Sequence, residues 1–147
     1  MACVEADDRD ADSAGSGLGP RTGGCHCGAV RFTVNGPLRQ VIYCHCEQCR
    51  KQSGHFVAAT RCDDAAVAVT GNEHLTWYAA SPEARRGFCR HCGSLLFWRR
   101  EGGQGMSIMA GGFDRPSGLV AGHHIFAADK GDYYEICDGL PVFDGRD

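Results

Sequence analysis

Seven of the ten cysteines in this 147-residue chain fall into three tight clusters, Cys25-x-Cys27, Cys44-x-Cys46-x-x-Cys49 and Cys89-x-x-Cys92. Crowded thiolates repel one another, and cysteines this close in sequence are poorly placed for unstrained disulfides with each other. A soft divalent cation that takes sulfur removes both difficulties, and zinc is the usual one. Four thiolates close a tetrahedral site. The three that remain leave one coordination position open, as in a reactive rather than a structural zinc. Three anionic sulfurs make the metal electron-rich, so it acidifies a bound water less than zinc held by neutral histidines does. What it takes well is a fourth soft ligand, a substrate thiol kept in its nucleophilic thiolate form. The expected chemistry is the making or breaking of a carbon–sulfur bond, such as addition of a thiolate to a small aldehyde.

Geometry then constrains the elements that carry these residues. If the chain is extended at Cys25 and Cys44, positions i and i+2 point to one side and both sulfurs can grip one ion. His26, His45 and His91 lie inside the motifs, where one of them could complete the three-cysteine site; in an extended strand they would instead point away, behind the ligands or at the surface. His55, His123 and His124 are freer candidates for lining an open site. Cys89-Arg90-His91-Cys92-Gly93 suits a tight knuckle whose amides donate to the sulfurs. Joining it to Cys25 and Cys27 would close a long loop and contribute to folding directly. Cys62 and Cys137 sit in apolar, strand-like settings where free cysteine packs as a small hydrophobe. Arg50 and Arg90, beside the clusters, could compensate thiolate charge or bind an anionic ligand. Arg85, Arg86, Arg99 and Arg100 read as a solvated strand face with charge compensation.

The length fits one domain that profits from a metal staple. Residues 1–20 hold five acids against Arg9 alone, so the formal charge of −3 is concentrated there and residues 21–147 are near +1. That segment reads as a disordered acidic tail, with Cys3 an incidental thiol. Residues 21–147 read as the folded domain. There is no basic excess of the kind a duplex-binding domain carries, so no nucleic-acid partner is expected. No apolar run reaches membrane-spanning length, and no membrane partner is expected. Ten cysteines without an export signal predict a reducing, cytoplasmic location over a disulfide framework.

Short strands punctuated by glycine fill the rest. They are predicted over 29–34, 40–43, 56–62, 65–70, 75–79, 85–88, 94–99 and 106–109, with one helical turn from Glu47 to Ser53 closed by Gly54. Residues 111–122 read as loop, and 123–143 as an aromatic-rich terminal part. The class is mostly β.

These motifs resemble the glutathione-dependent formaldehyde-activating enzyme and centromere protein V family. The matching residues are Gly23-Gly24-Cys25-His26-Cys27-Gly28, Cys44-His45-Cys46, Cys49-Arg50-Lys51 and Ser53-Gly54. They continue with Arg86-Gly87-Phe88-Cys89, Cys92-Gly93-Ser94, Leu96-Phe97-Trp98, His124-Ile125, Lys130 and Asp138-Gly139-Leu140-Pro141. The resemblance covers about residues 21–143. It implies small antiparallel sheets organised around zinc, similar to a zinc-binding nucleotide-exchange chaperone. It implies two zinc ions per chain, a structural one on Cys25, Cys27, Cys89 and Cys92 and a catalytic one on Cys44, Cys46 and Cys49. It also implies a carbon–sulfur lyase that joins formaldehyde to glutathione, giving S-hydroxymethylglutathione. A non-catalytic, zinc-stabilised binding module of the centromere protein V type is the alternative.

Overall fold

The computed structural model describes residues 19–147. The acidic segment read as disordered lies outside the described residues up to position 18; Gly19 and Pro20 are exposed.

Ten strands and one helix follow in order: β1 (Arg21–Gly24), β2 (Arg31–Val34), β3 (Val41–Cys44), α1 (Glu47–Ser53), β4 (Val57–Cys62), β5 (Val67–Thr70), β6 (Leu75–Ser81), β7 (Ala84–Cys89), β8 (Leu95–Arg100), β9 (Met106–Met109) and β10 (Ala121–Ile125). They form a three-stranded sheet, β1-β2-β5, and a seven-stranded sheet, β10-β3-β4-β9-β8-β7-β6. The mostly β class and the antiparallel pairing therefore hold, with one addition. β10 pairs with β3 in parallel, Ile125 opposite Cys44.

The core lies between the two sheets. Phe32 and Val34 of β2 meet Leu96 and Phe97 of β8 and Ile108 of β9, all buried. The Phe32 ring meets Phe97 and Phe113 edge-on, with centroids 5.8 and 5.0 Å away. Burying each such ring contributes roughly 1.5–3 kcal/mol relative to leaving it exposed. Cys25 and Cys89 belong to this same cluster. A second, smaller cluster gathers Cys49, Val57 and Met109, with Cys44, Cys46, Ala59, Leu95 and Trp98 packed against it.

Two predicted features differ. The Gly23-Gly24 pair hides β1 from propensity, yet Gly23 is needed there, because a Cβ would collide with the Gly112 carbonyl and the Phe32 ring. Cys62 is a buried free cysteine as expected, but Cys137 is exposed and disulfide-bonded, on a segment that forms no strand. Among the described residues, no helix is long and apolar enough to cross a membrane.

Candidate metal centre

Two knuckles face each other at one end of the core. Cys25-x-Cys27 is not extended, as expected from its spacing, but turned: the Gly28 amide donates to the Cys25 carbonyl at 3.1 Å, with Gly28 at φ +80°. A left-handed residue closes the turn there, which glycine adopts without a Cβ penalty. Cys89-x-x-Cys92 closes in the same manner, the Gly93 amide reaching the Cys89 carbonyl at 2.8 Å with φ +75°. The Val30 amide donates to the Cys25 sulfur at 3.2 Å. The His26 amide donates to the Ser94 hydroxyl at 3.0 Å and ties one knuckle to the other. All four sulfurs come within 4.8 Å of one another. Cys25 and Cys27 lie 3.6 Å apart and Cys27 and Cys89 3.7 Å, far beyond a disulfide bond. A tetrahedral ion with metal–sulfur bonds of about 2.3 Å spaces its sulfurs at about 3.8 Å. The donor set fits zinc.

The second cluster forms where β3 runs into α1. Cys44 ends the strand. Cys46 is the extended residue before the helix (φ −60°, ψ 159°), and Cys49 sits one turn on. Gly54, at φ 80°, caps the helix, its amide on the Arg50 carbonyl. The three sulfurs lie within 4.8 Å of one another. Left to themselves they cannot all ionise. Hydrogen bonds from Cys44 and Cys49 pull the Cys46 thiol down to about 2, while Cys46 and Cys49 push the Cys44 thiol well up. A divalent cation is what lets all three be thiolates together.

One arginine expected on a solvated strand face with charge compensation is buried, and it touches the cluster as compensation would require. Arg86 is 4% exposed, and its Nη2 donates to the Cys49 sulfur at 3.5 Å. A signal was present. Consecutive residues of a strand face opposite sides, so Arg85 and Arg86 cannot share one solvated surface. Arg85 is indeed outside, paired with Glu101, and Arg99 pairs with Asp64 at 2.9 Å. Arg90 is exposed and Arg50 half-buried.

The histidines divide. His26 and His91 are exposed, as expected. His45 turns away from the sulfurs and is wholly buried behind them rather than at the surface, one of the two expected positions. Its Nδ1 meets the Tyr134 hydroxyl, its Nε2 lies 2.8 Å from His124 Nδ1, and His124 Nε2 lies 2.9 Å from Asp138. An uncharged chain satisfies every group in one direction. Tyr134 donates to His45, His45 to His124, and His124 to the Asp138 carboxylate. Burial, then the neighbouring His124, lowers His45 to about 4 and keeps it neutral. Burial also raises the Tyr134 phenol. These residues line a cavity of about 330 Å³ together with His55 and Phe56. His123 is elsewhere, paired with Asp147. No local spacing announces the chain of donors, because Tyr134 and Asp138 come from a loop some ninety residues beyond His45.

The Tyr134 contact makes a prediction. Tyr134→Phe leaves the buried His45 Nδ1 without a donor and is expected to cost about 1–3 kcal/mol of stability. Urea unfolding with metal analysis checks it; the midpoint should fall with both metal positions still filled.

The family model described as glutathione-dependent formaldehyde-activating enzyme matches residues 20–129. A Halomonas elongata protein that carries the name of a glutathione-dependent formaldehyde-activating enzyme is 32% identical over 127 residues, covering 78% of this chain and 79% of that protein. An uncharacterized lyase of Schizosaccharomyces pombe is 28% identical over 122 residues, 82% of this chain and 88% of that protein. A Rhodobacter sphaeroides protein of known crystal structure superposes with a TM-score of 0.50 at 30% identity, over 61% of this chain and 84% of that one. The matched span holds all seven clustered cysteines, and the chain belongs to the glutathione-dependent formaldehyde-activating enzyme family.

Proposed function

We propose that residues 21–147 form a zinc-dependent carbon–sulfur lyase that joins a small thiol, glutathione or similar, to a small aldehyde such as formaldehyde, or reverses that reaction. The observation that carries this reading is the three-cysteine cluster. Among the described residues no fourth histidine, cysteine or carboxylate joins it. His45, the nearest candidate in sequence, is committed to Tyr134 and His124. Zinc on Cys44, Cys46 and Cys49 would supply a soft position at which a thiol is held as thiolate. In the reaction sulfur bonds to the aldehyde carbon, the carbonyl π bond opens, and its oxygen takes a proton in place of the one lost by the thiol. A purely structural role would not call for a site left one ligand short. Cys25, Cys27, Cys89 and Cys92 would hold a second zinc that staples the fold.

Exchange NMR of formaldehyde, glutathione and their adduct tests the proposal. Interconversion is expected to be faster with protein than in the protein-free blank. Two bound zinc ions with no acceleration, for glutathione or any other small thiol, would remove the enzymatic reading.

A further inference from the structure

We infer that Arg86 is a positioning residue of the three-cysteine site, whose buried guanidinium favours an anionic thiolate over a neutral group as fourth ligand. The inference rests on the reading above that a thiol takes the open position. Arg86 is 4% exposed, and its Nε is buried without a hydrogen-bond partner. None of the ion pairs among the described residues gives it a carboxylate. A guanidinium does not shed its proton, and a buried charge without a counter-charge is strongly destabilising. Among the described residues, the group it touches that can carry negative charge is the Cys49 sulfur, at 3.5 Å. Arg86 cannot drift from this contact, since β7 is held on both sides, with Arg86 opposite Tyr78 on β6 and Trp98 on β8.

The charge count gives the contact its consequence. Three thiolates and a divalent ion leave one negative charge, which Arg86 cancels. A thiol taken up as thiolate, its proton passing to solvent, restores one negative charge. Without Arg86 the same step would leave two, against the apolar wall of Val57, Met109, Leu95 and Trp98. Screening is weak in such surroundings, so the difference falls on the anionic ligand and leaves a neutral one nearly untouched. The other guanidiniums do not substitute. Arg85 and Arg99 are exposed and paired with carboxylates. Arg50 also has a buried Nε without a hydrogen-bond partner, but among the described residues Arg86 is the arginine that donates to a sulfur of this cluster.

The test uses the full chain with cobalt(II) in place of zinc, whose visible absorption reports the ligands. It compares 2-mercaptoethanol, uncharged apart from its thiol, with imidazole. Arg86→Met is expected to weaken 2-mercaptoethanol binding about tenfold or more, and imidazole binding less than about twofold. Arg86→Lys should restore most of the preference, and Arg86→Gln repeats the comparison if methionine is not accommodated. Equal weakening of both ligands, or of neither, overturns the inference. A wild-type protein that holds two cobalt ions but takes up no thiol contradicts the proposed function instead. Arg86 is then judged by metal release to a chelator from the three-cysteine site. Release about tenfold faster in Arg86→Gln supports the pairing with Cys49, and equal rates overturn it.

Discussion

Cys49→Ser is expected to reduce bound metal from two ions per chain to one and to bring the thiol–aldehyde exchange rate down to the protein-free blank. Cys49 is 4% exposed on the first turn of α1, where its sulfur closes the triangle with Cys44 and Cys46. Serine places a shorter, un-ionised hydroxyl at that corner, and two thiolates do not hold a soft ion as three do. The substitution also strips Arg86 of its anionic partner among the described residues. Breaking a buried charge pair costs about 3–5 kcal/mol, so the unfolding midpoint should fall too. The fold should nonetheless survive. The main core of Phe32, Leu96, Phe97 and Ile108 belongs to a different cluster. Cys62→Ser is the control, since Cys62 is buried but belongs to neither metal group. It should keep both ions and the rate. A Cys49→Ser protein that retains two ions and accelerates exchange would leave the three-cysteine site without a role in the chemistry.

How much of this the sequence discloses depends on the range of each interaction. Metal ligation works through spacings of two and three residues, so all three cysteine clusters are visible in the sequence, and the structure brings them together as four and three. The α1 turn is equally local, with Gly54 as a left-handed cap. What hides is decided by partners far along the chain. β1 carries two glycines where a strand normally carries branched residues, and the neighbouring Phe32 ring and Gly112 carbonyl explain Gly23. β10 lies partly in a stretch read as loop, because its strand character comes from parallel pairing with β3. His45 looks like a bystander between two ligands until Tyr134 and His124 are seen to enclose it. The burial of Arg86 was within reach, through simple alternation with Arg85, but its meaning required knowing that its guanidinium reaches the Cys49 sulfur.

Cys89→Ser should behave in the opposite way to Cys49→Ser and cost the chain its fold. Cys89 is fully buried at the end of β7, and its group joins residues 25–27 to residues 89–92. Those two stretches sit in different sheets, β1 and β2 on one side and β7 and β8 on the other. Zinc bound to four such ligands contributes about 10–16 kcal/mol in zinc-finger peptides. Total stability of a domain is about 5–15 kcal/mol. A loss on that scale exceeds what the apolar core of a chain this size retains in reserve. Circular dichroism and amide dispersion should therefore show Cys89→Ser largely unfolded at room temperature, and a strong chelator should unfold the wild type through the same state. Ranking the two substitutions by stability and by metal content separates the staple from the reactive site. If Cys89→Ser melted at the wild-type temperature with two ions bound, the four-cysteine group would have to be read as an ordinary part of the core.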